Sequence, residues 1–435
     1  MNRWNLPLAA GLTAIVFGLM GCAETGGTTG HPSPSTVTAA TAQPGRLDAG
    51  LLQAARAEQP ALMRTLERLV NIETGTGNAE GLAQLAQVLE RELRAVGATV
   101  TRHKPDGDVV GDNLVGRIPG KGATRLLLIA HMDTVYPKGT LAKHPFRVEG
   151  DRAYGPGVAD NKGGIAQILH TLRLLKARGA EHGPITVMLN SDEERGSFGS
   201  RALIQRLAAE ADAVLSFEPT SQHEEPLILG TSSIAYYKVA VQGASAHAGA
   251  NPELGVNALV EAADIIGRTR ELDNPARELR FNWTVMSAGT VPNVVPDRAQ
   301  LEADIRFARE EDLTGLLRTL EDRIQNQKRL AKSEITIRAE RGRPGFTANA
   351  SGRAMGAQAQ AIYAELGQTL AVIDRVGAGT DAGYAALSGK PVVESMGLPG
   401  YGFHSDEAEY ALIDAIPRRL YLTARMIMEL SQRKP

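Results

Sequence analysis

Leu126-Leu127-Leu128-Ile129-Ala130-His131-Met132-Asp133 is an apolar run of strand length that ends on a histidine, with an aspartate two residues further on. An uninterrupted run, rather than alternation, suits a strand covered on both faces. Ile185-Thr186-Val187-Met188-Leu189 and Val214-Leu215-Ser216-Phe217 have the same character. Between the first two runs Ile165, Ile168, Leu169, Leu172 and Leu175 form a helical stripe, stopped by Gly179 where a C-terminal glycine belongs. Upstream, Leu51 to Gly97 reads as helical, with Leu82, Leu85, Leu89, Leu93 and Val96 at spacings of three and four. Strands alternating with helices predict an α/β fold with a mostly parallel sheet. In such a sheet the ligand crevice lies outside the carboxyl ends of the strands, so polar residues placed there become the candidates for chemistry.

The texture changes over 232–343. Ile234–Gly243 reads as a strand, Pro252–Leu272 as a helix, Leu279–Thr290 and Ala299–Ala308 as strands, Glu310–Arg329 as a helix and Glu334–Arg341 as a strand. The order β-α-β-β-α-β is that of a ferredoxin-like module, here inserted between two parts of the main domain, 47–231 and 344–435. The second part ends in a helical stripe of Ile416, Leu420, Leu422, Ile427 and Leu430 that can pack back on the first.

At the other end, Arg3 precedes an apolar run from Leu6 to Met20, the length of a signal-peptide core and short of the ~20 residues that span a bilayer. The run closes on Leu19-Met20-Gly21-Cys22, which resembles a bacterial lipobox. Residues 1–21 then read as a signal peptide, Cys22 as a lipidated anchor and 22–46, rich in Gly, Thr, Pro, Ser and Ala, as a flexible tether. An ordinary secretory signal with an incidental cysteine is the other reading, and both export the chain to the periplasmic side of a bacterial envelope. The length of 435 residues is about three times the ~150 of an average domain. Lys and Arg total 47 against 49 Asp and Glu, and aromatics are 4%, so neither a basic field nor a stacking platform for nucleic acid exists. With Cys22 the single cysteine, any metal must be held by His and carboxylates.

The candidates sit at strand ends. His131 and Asp133 follow the first run, Glu193 and Glu194 come soon after the second, and Glu218 follows the third. Asp160, after Gly155-Pro156-Gly157, and His404, in Gly400-Tyr401-Gly402-Phe403-His404, lie in loops. Several carboxylates with two histidines suit one or two zinc-like ions. Each residue also has a plainer reading: a surface or core histidine, an N-cap aspartate, a solvated acidic loop over Asp192-Glu193-Glu194.

Taken together, Ala130-His131-Met132-Asp133-Thr134-Val135, Gly155 to Gly164, Ser191-Asp192-Glu193-Glu194-Arg195-Gly196-Ser197, Ser216-Phe217-Glu218-Pro219 and the His404 loop occur in the order of a known family. The chain after about residue 50 resembles the di-zinc amidohydrolases and peptidases that include aminoacylases, succinyl-diaminopimelate desuccinylases and glutamate carboxypeptidases. Through Ala246-His247-Ala248-Gly249-Ala250, Arg341-Gly342-Arg343-Pro344 and Pro391 to His404 it is most similar to the folate-cleaving glutamate carboxypeptidases. The resemblance implies an α/β zinc-peptidase domain interrupted by a dimerisation and lid module. It implies two Zn²⁺ per subunit, bridged by Asp160, with His131 and Glu218 completing one site and Glu194 and His404 the other. Asp133 would orient His131, and Glu193 would be the general base, a distinction from Glu194 that spacing alone does not make. His247, with Asn293 nearby, resembles the residue that stabilises the oxyanion, in relatives often across a homodimer. Arg343 resembles the arginine that grips the substrate α-carboxylate, and Arg306 is a second candidate. Gly379 lies in Gly377-Ala378-Gly379, an unbroken glycine run in the relatives that Ala378 interrupts here.

The activity implied is a zinc-dependent exopeptidase or amidohydrolase releasing a C-terminal amino acid, expected to be glutamate, from N-acyl or folate-type conjugates. Two alternatives are a broader aminoacylase or dipeptidase, and a non-catalytic envelope-anchored binding lipoprotein. The partners expected are a small acyl-amino-acid or peptide substrate and a second copy of the chain, with the membrane reached only through the anchor.

Overall fold

The computed structural model describes residues 45–405 and 407–432. The signal run, Cys22 and nearly all of the tether lie outside the described residues. The main sheet has six strands in the spatial order Thr99–His103, Asn113–Ile118, Ile185–Asn190, Leu126–His131, Ala213–Ser216 and Val392–Val393. The last four run parallel, Asn113–Ile118 joins them antiparallel, and Thr99–His103 pairs antiparallel with it at the edge. All six residues of Leu126–His131 are buried. The pleat sends Leu126, Leu128 and Ala130 into one core with the helices Ala49–Val70, Lys162–Arg178 and Ile416–Ser431. Leu127 and Ile129 enter the other, under the helices Arg201–Glu210 and Asp381–Ala386. Burial on both faces is the cause of the unbroken apolar runs.

The helical pattern over 51–97 resolves into two helices, Ala49–Val70 and Ala79–Ala95. The break falls at Asn71–Asn78, where the Asn78 side chain accepts from Gly81 N–H and caps the second helix. Gly179 ends the Lys162–Arg178 helix in the left-handed conformation, φ 59°, that its position predicts.

The inserted module has four antiparallel strands in the order Leu279–Ala288, Arg298–Phe307, Ser233–Gln242 and Glu334–Arg341, with the helices Ala258–Thr269 and Glu310–Glu321. Both helices are shorter than their apolar patterns predict, the first bounded by short 3-10 turns and the second ending in a π turn over Asp322–Asn326. Alternate residues Ala235, Tyr237, Val239 and Val241 point into a separate core with Leu301, Ala303 and Ile305. The chain enters through Gly230–Thr231 and returns through Phe346–Thr347, which pair with each other antiparallel. Arg375 donates to the carbonyls of Thr231 and Phe346, at 2.7 and 3.3 Å, and lies 3.2 Å from Glu278 of the module.

A small five-stranded sheet decides where the loops go. Its strands lie in the order Arg147–Glu149, Arg152–Tyr154, Tyr410–Leu412, Pro399–Tyr401 and Thr220–Ser221. Arg152–Tyr154 leads into the Asp160 loop, Pro399–Tyr401 into His404, and Thr220 follows Glu218. Among the described residues no helix is long and apolar enough to cross a membrane.

Candidate metal centre

His131 closes its strand and is 1% exposed. Its Nε2 lies 3.0 Å from Asp160 Oδ1 and 3.5 Å from Glu218 Oε2. The other carboxylate oxygen of Asp160 lies 3.3 Å from His404 Nε2, which is 3.0 Å from Glu194 Oε2. Asp160 therefore divides its oxygens between two histidines, each with its own glutamate. Ligand atoms of His131, Asp160 and Glu194 all fall within 4.8 Å of one another. Asn161 Nδ2 donates to Glu218 Oε2 at 2.9 Å and holds that carboxylate in place.

Asp133 does more than face His131. Its carboxylate is 3.4 Å from His131 Nδ1, but its backbone carbonyl is nearer, at 3.0 Å. Oδ1 accepts from Glu193 N–H at 3.0 Å, and Oδ2 accepts from Glu194 N–H at 3.2 Å and from the Thr76 hydroxyl at 2.7 Å. One buried aspartate thus fastens the Glu193-Glu194 turn to the end of the His131 strand.

The electrostatics show what the group is built to hold. Burial raises the carboxyls of Glu193, Glu194 and Glu218 above the ordinary range. Hydrogen bonds to Asp160 and Glu194 push His404 up to about 11. Burial works against a charged His131, yet the Glu218 charge and the hydrogen bonds of its acidic neighbours outweigh it and raise that imidazole as well. A buried carboxylate cluster that draws protons onto its histidines is a cluster short of positive charge. Glu194 Oε1 is buried with no hydrogen-bond partner, an acceptor-only oxygen that a cation would satisfy. The residues present fit metal binding.

Glu193 lies apart from this ring. Its Oε1 is 2.6 Å from an Arg343 terminal nitrogen, and both side chains are more than nine-tenths buried. Arg343 also donates to the carbonyls of Gly379, at 2.6 Å, and Glu193. It lines a cleft of about 760 Å³ with Glu193, Glu194, Arg306, Ala378 and Gly379. Arg306 is part-exposed there and paired with Asp304 at 2.7 Å. A Cβ on Gly379 would come within 2.6 Å of Ile234 Cδ1, so a side chain there would require the Ile234 side chain of the module to shift. His247 and Asn293 are exposed on neighbouring segments of the module, Ala248 N–H donating to Asn293 at 2.9 Å, and neither lines the cleft. His247 Nδ1 accepts from Gly249 and Ala250 N–H, which leaves Nε2 as the donor.

Residues 127–429 match the model of peptidase family M20/M25/M40. The chain belongs to that family. It is 59% identical over 397 residues, 91% of this chain and 95% of the relative, to carboxypeptidase G2 of Pseudomonas sp. (strain RS-16). A tripeptidase from Staphylococcus aureus superposes with a TM-score of 0.76 at 24% identity, covering 86% of this chain and 99% of the other. A dinuclear metal-binding M20 peptidase from Bacillus subtilis superposes at 0.64 with 16% identity over 86% of this chain and 98% of its own. This member of the family is a metal-dependent hydrolase, and a non-catalytic binding role finds no support.

Sequence reasoning passes over the residues that hold Arg343. Asp381 is buried, accepts from Asn190 Nδ2 at 2.7 Å and from the Ser197 hydroxyl, and its charge faces Arg343. Ser197 Oγ in turn lies 3.3 Å from the guanidinium. An aspartate at a helix start reads as a cap, so nothing local marks it.

Proposed function

We propose that this chain is a di-zinc carboxypeptidase that releases a C-terminal amino acid, glutamate foremost, from N-acyl or folate-type conjugates. The observation that carries the reading is the division of Asp160 between His131 with Glu218 and His404 with Glu194. Imidazole and carboxylate are zinc donors, and His131 with Glu218 would hold one ion, Glu194 with His404 the other, Asp160 bridging. Bound there, the ions would polarise the scissile carbonyl and acidify the attacking water.

The chain's own groups do the rest. Glu193, raised by burial and outside the ligand ring, takes the water proton and returns it to the leaving amine. Asp133 holds the Glu193 turn still while this happens. Arg343 offers a planar fork to the substrate α-carboxylate, which must first draw it from Glu193. Recognition of a free carboxylate thereby releases the base. His247 presents Nε2–H to the oxyanion, and its distance from the cleft favours a second copy of the chain supplying it. Exposed Val285, Met286, Val291 and Val294 beside Asn293 support a homodimer through the module. Export, with anchoring at Cys22, rests on the lipobox-like N-terminus.

Ala378, exposed in the cleft and adding a Cβ between Gly377 and Gly379, favours as second reading an aminoacylase or dipeptidase of broader scope. The test is hydrolysis of acyl-Glu, acyl-Ala and acyl-Glu amide with zinc supplied. Preference for acyl-Glu is expected. Equal turnover of the amide sinks the carboxypeptidase reading, and equal turnover of acyl-Ala selects the second.

A further inference from the structure

The two oxygens of Asp160 reach opposite histidines only if the backbone under Asp160 is fixed. That backbone is the loop 155–160, with Gly155 at φ 151° and Gly157 at φ 75°, so its own sequence leaves it pliable. What fixes it comes from 249 positions away. Glu409 Oε1 accepts from the N–H groups of Ala159 at 2.8 Å and Asp160 at 2.9 Å, and Oε2 accepts from Gly157 N–H at 2.8 Å. The Glu409 carbonyl also accepts from Gly155 N–H at 3.2 Å. Glu409 is 4% exposed. Three convergent donors suit an ionised carboxylate, which is acceptor-only, and charge-assisted bonds are the strong ones.

Glu409 stands on the return of the His404 loop, one residue before the strand Tyr410–Leu412. A single carboxylate therefore ties the loop of one ligand to that of another. Burial, then the Asp160 charge, push Glu409 up to about 7, and the three N–H groups oppose this, since a protonated or amide side chain would turn a donor toward one of them. One partner for the charge is buried Lys162, which donates to the Ile72 carbonyl at 2.7 Å and is only partly charged because burial lowers it to about 7. The ions of the reading above supply the others.

We infer that Glu409 is a positioning residue for the metal centre, setting the 157–160 backbone so that Asp160 bridges. The inference rests on the metal reading of the site. Glu409→Gln keeps one oxygen for Ala159 and Asp160 but turns an amide N–H₂ toward Gly157 N–H, and Glu409→Ala removes all three acceptors. Zinc affinity of the metal-free proteins is measured by chelator competition, and melting by circular dichroism with and without zinc. Zinc affinity should fall about 10–100-fold in the Gln variant, and further in Ala, with a smaller zinc-induced rise in Tm. A Gln variant that keeps wild-type zinc affinity and the full zinc-induced rise overturns the inference, even if both melting points drop together, because that is a structural role only. Wild-type protein that takes up no zinc refutes the metal reading instead.

Discussion

Replacing Glu193 by Gln separates two adjacent glutamates whose roles differ. Glu194 reaches His404 at 3.0 Å within the ligand ring, whereas Glu193 reaches Arg343 at 2.6 Å. Gln keeps the volume and one acceptor oxygen but cannot take a proton. A positioned general base contributes about 10²–10⁴ in rate, so kcat should fall by about that factor. The stability cost follows from the partners. Breaking a buried ion pair outright costs about 3–5 kcal/mol. Here the carbonyls of Gly379 and Glu193 still accept from the guanidinium and the new amide oxygen replaces a carboxylate oxygen. The loss should then be nearer the 1.5–3 kcal/mol of one hydrogen bond to a charged group. Atomic emission on purified protein, turnover of an acyl-glutamate and urea unfolding measure the three quantities. Metal content should match wild type, while Glu194→Gln should lose metal along with activity. If Glu193→Gln is the variant that sheds metal, base and ligand have been exchanged in this account.

Arg343→Ala should raise KM for free-carboxylate substrates about 10–100-fold, the equivalent of 1.5–3 kcal/mol, and Arg343→Lys should restore only part of it. An unchanged KM would remove Arg343 from recognition. Gly383→Ala would place a Cβ 1.8 Å from the Pro344 carbonyl, next to Arg343, so overpacking of about 1–3 kcal/mol with reduced activity is expected in denaturant and kinetic assays; wild-type values for both would count against it. His170 Nδ1 lies 2.6 Å from Glu58 and Nε2 2.9 Å from Thr65, and burial, then the Arg173, Arg68 and Arg64 charges, push this imidazole from 6.5 down to about 3. The unfolded chain binds the extra proton between those values, so the His170 share of stability is whole above pH 6.5 and is lost as pH falls toward 3. Its limiting slope is about 1.4 kcal/mol per unit, trimmed by Glu58, which burial shifts upward. His170→Gln should flatten that acid limb in urea titrations, and an unaltered slope would be the contrary result. Chelation should lower Tm in step with the free-zinc concentration, since a ligand of the folded state stabilises it by mass action; a Tm indifferent to chelator would deny the site its metal.

What the amino-acid order makes readable follows from burial. Leu126–Ala130 and its parallel neighbours announce themselves because two cores demand apolar side chains on both faces. The edge strand Thr99–His103 is largely exposed, carries no such pattern and escapes notice, as does the antiparallel direction of Asn113–Ile118 beside it. The ligand group is legible as a set because strand ends and glycine loops place it. The Glu193–Arg343 contact is not, since it joins residues 150 positions apart through packing of the module against the main sheet. Glu409 sits two residues from Glu407, with nothing local to set it apart, and only the folded loops reveal that it is buried.

The ribbon made by Thr231 and Phe346 has a bearing on ancestry and on engineering. Because the two crossing points are hydrogen-bonded neighbours, the entire insertion leaves and rejoins the host at one address. Closing a long excursion whose ends are already adjacent costs little chain entropy. A host shortened by a tight turn between those positions would keep its sheet order intact, and foreign modules of other sizes could be grafted at the same seam without re-threading the helices that flank the sheet.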